Sequence, residues 1–322
     1  MKLAQRILLF LLTSALLASC GAFQPTSASR PLRVEFTQWW GDYTLIIAKE
    51  KGFFAKYGVD VEPVYYETFS DALPDLAAGD IDMGLFALGD ALNVSRHTDL
   101  KVIAVYDNGG FNAVLAAPSI RSIGDLRGKS IGVQLGTTYE LFVLDMLRIS
   151  GLSTSDVNLV DVDPENIPAR IGQDIAAGFA YEPYISEAMA RGFRVIFSSE
   201  QVSGLNPDVI VMRSELAQQR PEDVRAFLRA WFEAVEYRKA NDLETRQIIA
   251  NYMGWNLEDV VSDPQIQLLT VEDNRVFFDL VPSGPYRPLR ETAQSNGQFL
   301  IRIGTLTKLP NFDTFLDPSF LE

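Results

Sequence analysis

Apolar and polar residues follow two alternating periods along most of the chain. In residues 32–37 they alternate at every second position, which predicts a β-strand with one buried face. Residues 43–51 then show a helical pattern that Gly52 ends. The same order of strand and helix recurs as far as about residue 203, at the spacing of mostly parallel sheets. The pattern therefore predicts an α/β protein with helices on both faces of its sheets.

Two tryptophans stand at the carboxyl end of the first predicted strand, where open α/β sheets commonly bind their ligands. Trp39 and Trp40 are adjacent, and adjacent residues at a strand end point in opposite directions. We therefore expect one indole to lie in the core and the other in a cleft. Asp42 is expected to cap the next helix, because its carboxylate can accept hydrogen bonds from the free N–H groups of the first turn.

Two turn-rich segments divide the alternating pattern into two series. The first follows residue 117, and the second is the stretch SGLNP at residues 203–207. Residues 31–116 and 206–322 are therefore expected to form one lobe, and residues 119–203 the other. The two crossings between the lobes would act as a hinge, and a cleft between lobes is a favoured place for a small-molecule ligand.

Charge and composition argue against several classes of protein. The net charge of −14 disfavours a nucleic-acid partner. The chain contains one cysteine, Cys20, and one histidine, His97, so it cannot build a cysteine–histidine zinc site or an internal disulfide. A GxxxxGK[ST] nucleotide-binding loop is absent, since the similar stretch IGVQLGTT lacks the lysine. We therefore expect no enzymatic activity, no metal and no cofactor.

The amino-terminal residues carry the pattern of an export signal. Two basic residues precede an apolar run at residues 7–17, which is too short to span a membrane and fits the central part of a signal peptide. The next residues, Leu-Ala-Ser-Cys ending at Cys20, resemble the cleavage box of bacterial lipoproteins. The resemblance implies a signal peptide at residues 1–19, a lipid such as palmitate on Cys20, and a tether at residues 20–30 on the extracytoplasmic face of the cell membrane.

Several motifs in the remaining chain resemble one family of transport proteins. They are, in order, AKEKGFFAKYGVDVE, DLAAGDIDMGL, SIGDLRGKSIGV and YEPY. Together they resemble the solute-binding proteins of ABC importers for nitrate, aliphatic sulfonates, taurine, thiamine-pyrimidine precursors and riboflavin. The resemblance implies the two-lobed periplasmic-binding fold of type II. It also implies a monomer that delivers a small molecule to permease and ATPase subunits.

The family leaves the ligand open, so the residues at the strand ends decide our expectation. They are rich in aromatic, amide and hydroxyl groups and include acids but no lysine or arginine. Such groups can stack on a flat heteroaromatic ring and hydrogen-bond to its edge. We therefore favour riboflavin, followed by a thiamine-pyrimidine precursor. The expected ligand-binding residues are Gln38, Trp39, Trp40, Tyr43, Phe86, Asn112, Thr137, Thr138, Tyr181 and Glu182.

Two alternatives remain open at this point. A sulfonate, taurine or nitrate would lack a cationic partner in these loops, but it could bind the free N–H groups of the helix start at residues 136–139. The other alternative is a sensor that passes its ligand to a membrane receptor instead of a permease.

Overall fold

Two β-sheets form the centre of the molecule. Within the residues that the computed structural model describes, 30–67, 69–182, 184–201, 207–260, 266–281 and 286–321, each sheet has five strands. The strands are β1 (Leu32–Phe36), β2 (Val61–Tyr65), β3 (Met83–Ala87), β4 (Leu100–Asp107), β5 (Ala113–Ala116), β6 (Ser130–Val133), β7 (Asn158–Asp161), β8 (Ala177–Ala180), β9 (Arg194–Ser198) and β10 (Asp208–Arg213). The first sheet has the order β2-β1-β3-β10-β4 and the second the order β7-β6-β8-β5-β9. Both sheets belong to one compact unit that begins at Leu32.

Helices connect most of the strands and cover the sheets. They are α1 (Tyr43–Glu50), α2 (Phe53–Lys56), α3 (Phe69–Ala78), α4 (Leu88–Val94), α5 (Thr138–Ile149), α6 (Ile167–Arg170), α7 (Tyr184–Ala190), α8 (Leu216–Gln219), α9 (Pro221–Ala240), α10 (Asp242–Met253), α11 (Val271–Phe277), α12 (Leu289–Arg302) and α13 (Phe312–Phe315). We call the first sheet with its helices the first lobe, and the second sheet with its helices the second lobe.

Alternate residues of the central strands face different cores, so both faces of each sheet are covered. In β10, Val209 packs in a core with residues of α3, α4 and α12. The next residue, Ile210, packs in a core with residues of α1, α9 and α10. In β5, Val114 likewise faces the core that contains α5, whereas Leu115 faces the core that contains α6 and α7. The prediction of α/β layers with helices on both faces is confirmed.

Each sheet mixes parallel and antiparallel strands. In the first sheet β1 is parallel to β2 and β3, whereas β10 is antiparallel to β3 and β4. In the second sheet β6 is parallel to β7 and β8, whereas β5 is antiparallel to β8 and β9. The sheets are thus less parallel than the sequence pattern suggests. The two antiparallel strands each follow a crossing between the lobes, and they lack the helical crossover that parallel neighbours require.

The first crossing between the lobes lies at residues 108–112, earlier than the boundary expected after residue 117. The strand Ala113–Ala116, which the sequence pattern places in the first lobe, pairs instead with β8 and β9 of the second. All four of its residues are buried, so both of its faces need a core. Two successive glycines with positive φ, Gly109 (77°) and Gly110 (68°), turn the chain before it.

The predicted signal peptide, Cys20 and nearly all of the predicted tether fall at residues 1–29, outside the described residues. Among the helices that are described, none is long and apolar enough to cross a membrane.

Candidate ligand-binding site

A cavity of about 240 Å³ lies between the lobes, at the edge where β1 and β3 end and β10 begins. We call it the interlobe cavity. The first lobe contributes Thr37, Trp39, Asp42, Leu85, Phe86, Ala87, Asp90, Tyr106 and Asp208, the crossing contributes Gly109 and Asn112, and the second lobe contributes Tyr139 and Tyr181. Four of the residues expected from the sequence, Trp39, Phe86, Asn112 and Tyr181, are therefore brought together here.

Trp39 forms one wall of the interlobe cavity. Its indole Nε1 donates a hydrogen bond of 2.8 Å to Oδ2 of Asp107. The ring packs against Gly110, where a Cβ atom would lie 2.8 Å from the indole. Both the lack of space and the positive φ at Gly110 therefore favour glycine. These contacts fix the half-buried Trp39 ring at the end of β1.

Asp42 does not cap α1, contrary to the expectation from the sequence. Its own backbone is already helical (φ −61°, ψ −30°), whereas a capping residue normally has an extended backbone. The carboxylate turns back toward β1 and accepts hydrogen bonds from the N–H and hydroxyl groups of Thr37, both at 2.8 Å. The Tyr106 hydroxyl donates a third, at 2.7 Å. Burial raises the pKa of Asp42 to about 7, although these hydrogen bonds oppose the shift.

Asp107 and Asp208 form a pair of carboxyl groups on neighbouring strands, β4 and β10. Asp107 accepts hydrogen bonds from Trp39 and from the Gly109 N–H at 2.8 Å. Burial raises the pKa of Asp208 well above its usual range, and the negative charge of Asp107 raises it further. We infer that Asp208 carries a proton at neutral pH and donates it to Asp107 in a hydrogen bond, which helps to hold Asp107 ionised.

A buried arginine, Arg238 of α9, lies behind this corner and is not among the residues that line the cavity. Its guanidinium donates hydrogen bonds to the carbonyl oxygens of Trp40 (2.9 Å) and Gly41 (3.1 Å) and to the Thr44 hydroxyl (2.6 Å). It also stacks over the Trp40 ring at 4.6 Å. Burial lowers the pKa of Arg238 to about 9, against the opposing effect of the nearby acids, so it remains charged at neutral pH.

Asp90, in the first turn of α4, presents a further carboxyl group to the interlobe cavity. The residue is half-buried, and burial raises its pKa to about 7. Within the described part of the chain, its carboxyl group has no hydrogen-bond or ion-pair partner. It therefore differs from Asp42, Asp107 and Asp208, each of which is hydrogen-bonded inside the protein.

The second lobe contributes aromatic rings. Tyr139 stacks on Phe179 with 4.6 Å between ring centroids, and its ring lies 5.8 Å from that of Tyr181. Tyr181 in turn packs edge-on against Tyr184 at 5.6 Å. Phe179 is buried in the core of the second sheet, so this row of rings joins the cavity wall to that core.

The start of α5, a possible anion site in the sequence, is partly filled by the chain itself. The Gly136 N–H donates a hydrogen bond of 2.8 Å to the Glu140 carboxylate. The Tyr139 N–H donates to the Thr137 hydroxyl at 3.2 Å, so Thr137 acts as the helix cap. Thr137 and its neighbour Thr138 do not line the interlobe cavity. Their predicted role as ligand contacts in that cavity therefore has no support from its geometry.

Gln38, Trp40 and Tyr43 lie on the other side of the strand end. They line a separate cavity of about 510 Å³ with Trp255, which we call the Trp40 cavity. Tyr43 is almost fully buried and packs edge-on against Trp40 and Trp255, with centroids 6.1 and 6.3 Å away. Trp39 and Trp40 are both half-buried and both pack against the core of the first lobe, so neither is a core residue as expected for one of them. The opposite directions of adjacent residues explain why Trp39 lines the interlobe cavity and Trp40 lines the other one.

Glu182 also lies outside the interlobe lining. Its carboxylate accepts a hydrogen bond of 3.1 Å from the Ser186 N–H, in the first turn of α7. This contact stabilises the start of the helix, since the first N–H groups of a helix have no partner within it.

Several residues of the site were not expected from the sequence, notably Asp90, Asp107, Asp208 and Arg238. Asp107 ends the otherwise apolar strand LKVIAVYD, and Asp208 begins the apolar strand DVIVMR, so an acid at a strand end was an available signal. Asp90 offered no such signal, because a single acid in a short helix is usually on the surface.

Comparison with known proteins identifies the family of the chain. The family described as NMT1/THI5 like matches residues 42–244. The chain belongs to the NMT1/THI5-like family. Its sequence is 28% identical over 229 residues to a candidate binding protein from Brucella abortus, covering 69% of this chain and 72% of that protein. It is 26% identical over 237 residues to a candidate aliphatic sulfonates-binding protein from Bacillus subtilis, covering 70% and 71% of the two chains.

The fold of this NMT1/THI5-like protein also agrees with a solved structure. The periplasmic aliphatic sulphonate binding protein SsuA from Escherichia coli superposes with a TM-score of 0.69 at 18% identity, over 89% of this chain and 92% of that chain. The two-lobed, type II periplasmic-binding fold and the family predicted from the sequence are therefore confirmed.

Proposed function

We propose that this protein is the solute-binding component of an ABC importer and holds a small planar heteroaromatic molecule between its lobes. The observation that carries the proposal is the lining of the interlobe cavity. Aromatic rings, among them Trp39, Tyr139 and Tyr181, stand around it together with carboxyl groups. No lysine, arginine or histidine occurs among the described residues that line it. Such a wall can stack on a flat ring and accept hydrogen bonds from its edge.

The size of the cavity bears on the choice of ligand. At about 240 Å³ it lies below the roughly 300 Å³ at which cavities for drug-sized ligands begin. It favours a one-ring molecule such as a thiamine-pyrimidine precursor over the three-ring riboflavin, the ligand that the sequence inventory ranked first.

A sulfonate is the second candidate, because the Bacillus subtilis relative and SsuA are both named for aliphatic sulfonates. Against it, the Gly136 and Tyr139 N–H groups at the start of α5 already have partners within the chain. The carboxyl groups of the cavity would also repel an anion.

His97, the sole histidine of the sequence, is exposed beyond α4 and does not line the interlobe cavity, which supports a binding function over a catalytic one.

The location and partners of the protein complete the proposal. The lipoprotein-like box at Cys20 supports a lipid anchor on the extracytoplasmic face of the membrane. The anchored protein would act as a monomer and deliver its ligand to the permease, with the ATPase subunits providing the energy for import.

Isothermal titration of the purified protein with the hydroxymethyl-aminopyrimidine precursor of thiamine, riboflavin and taurine tests the proposal. We expect a Kd of about 1 μM or lower for the pyrimidine, weaker binding of riboflavin, and no heat with taurine. If riboflavin binds, stacking on Trp39 would quench its fluorescence. Binding of taurine without binding of either ring compound would contradict the planar-ligand proposal and favour the sulfonate class.

A further inference from the structure

The carboxyl groups around the interlobe cavity differ in how many hydrogen bonds they form with the described residues. Asp42 accepts hydrogen bonds from Thr37 and Tyr106, and Asp107 accepts them from Trp39 and Gly109. Asp208 is hydrogen-bonded to Asp107. Asp90 has no such partner within the described residues, although it is half-buried at the same cavity. A carboxylate that is partly withdrawn from water needs a donor or an opposite charge, and the residues that the structure describes supply neither to Asp90.

The charged groups around the cavity also leave Asp90 without an opposite charge among the described residues. The buried base Arg238 interacts with Asp107 and Asp42 and favours their ionised forms. Its guanidinium is held by Trp40, Gly41 and Thr44, behind the cavity wall. Burial raises the pKa of Asp208 well above its usual range, which favours the uncharged form of that acid. A ligand bound in the cavity could therefore supply the positive charge that pairs with an ionised Asp90.

We propose that the ligand carries a positive charge when bound, on an amidine-like edge of its ring, and that Asp90 determines this specificity by accepting hydrogen bonds from that edge. This inference rests on the proposed function and narrows its ligand class. A ring amidinium has two N–H donors side by side, which match the two oxygens of a carboxylate. The rings of Trp39, Tyr139 and Tyr181 would then stabilise the same cation through their π faces.

If Asp90 binds a cationic ligand, the affinity for that ligand should depend on pH. The titratable groups that line the cavity with Asp90 include Asp208 on β10 and Tyr139 on α5, whose pKa values burial raises above their usual ranges. Burial also raises the pKa of Asp42 to about 7, so Asp42 changes its charge in the same pH range, but its carboxylate already accepts hydrogen bonds from Thr37 and Tyr106. A cationic ligand binds to the ionised form of Asp90, so its affinity should rise with pH through the pKa of about 7 and level off above it.

The test uses three ring compounds of nearly equal size that differ in charge: benzamidine, which stays cationic, benzamide, which is neutral, and benzenesulfonate, which is anionic. Titration calorimetry at about pH 8 should give a Kd for benzamidine at least about tenfold lower than for benzamide, and no binding of benzenesulfonate. Between about pH 8 and pH 6 the benzamidine affinity should fall by about tenfold, while that of benzamide stays constant.

Asp90→Asn is the decisive variant. It should weaken benzamidine binding at about pH 8 by about tenfold, reduce its pH dependence to the part that Asp42 contributes, and weaken benzamide binding by much less. Asp60→Asn is the matched control, because it removes the same charge from an exposed residue at the amino end of β2, the opposite edge of the sheet. It should leave all three titrations unchanged.

The outcomes separate this inference from the proposed function. If benzamide binds as tightly as benzamidine, or if Asp90→Asn binds benzamidine like the unaltered protein, the inference is overturned and the planar-ligand function stands. Failure of benzamidine to bind also overturns the inference. If benzenesulfonate alone binds, both are overturned.

Discussion

The two lobes contribute different chemistry to the cavity between them. The first lobe provides the carboxyl groups of Asp42, Asp90 and Asp208, which lie at strand and helix ends. The second lobe provides the rings of Tyr139 and Tyr181, which continue into its core. Carboxyl groups therefore line the cavity from the first lobe alone, whereas aromatic rings line it from both lobes, with Trp39, Phe86 and Tyr106 on the first. We expect a ligand to meet the acids on the first lobe before the rings of the second lobe close over it, as in hinge closure of a two-lobed binding protein.

The largest effect should come from removing the charge that supports the acids of the first lobe. Arg238→Met should lower the free energy of unfolding by about 3 kcal/mol, because buried acids lose their counter-charge and two carbonyl groups lose their donor. Urea unfolding measures it. Arg290→Met, which removes an exposed arginine that pairs with the exposed Asp313, should cost less than about 0.5 kcal/mol. Equal losses for the two variants would show that Arg238 does not support the acids.

The acids should also make stability depend on pH. Asp42 holds its proton up to about pH 7 in the folded protein, but only up to about 3.8 in the unfolded chain. Between these values the folded state binds more protons, so the free energy of unfolding should fall as pH rises, by on the order of 1 kcal/mol per unit. Asp42→Asn should flatten this slope in urea titrations at several pH values, whereas Asp60→Asn should not. An unaltered slope in Asp42→Asn would rule out its role.

A smaller effect is expected from the rings of the second lobe. Tyr181→Ala should weaken binding of the thiamine-pyrimidine precursor by about three- to tenfold, the loss of one stacking contact, with little change in the melting temperature of the free protein. Calorimetry and thermal melting measure the two quantities. Tyr252→Ala, which truncates an exposed tyrosine of α10, is the control and should change neither. A large fall in melting temperature with unchanged binding would assign Tyr181 to the core.

The smallest effect on the folded protein should come from the residue predicted to anchor it. Cys20→Ser should leave unfolding and ligand affinity unchanged, because an acyl anchor requires nothing from either lobe. Fractionation of cells should move the protein from the membrane to the soluble extracytoplasmic fraction. Retention of the processed variant in the membrane fraction would contradict the lipid anchor.

The sequence predicted the layers and one wall of the cavity because both follow from local periodicity. Alternation at a strand end is sufficient to separate Trp39 from Trp40, even though it does not say which of the two meets the cleft. The YEPY motif likewise placed Tyr181 at a strand end, after β8.

The positions of the acids in the site could not be predicted in the same way, because they depend on contacts between segments that are distant in sequence. Asp208 is paired with Asp107 only because β10 returns to the first sheet beside β4. Asp42 was misread for a related reason: Tyr106, distant in sequence, reaches its carboxylate and helps to draw it away from the helix end. The boundary at β5 depended on strand pairing as well, since its apolar residues would suit either sheet.

The position of β10 has a consequence for how the protein is made. It lies between β3 and β4, so the first sheet remains divided until residue 213 has been synthesised. The second sheet uses only residues 113–198 and can be completed earlier. During export the second lobe can therefore assemble while the first lobe still exposes the open edges of β3 and β4. A chaperone that covers those edges would protect the chain at its most aggregation-prone stage.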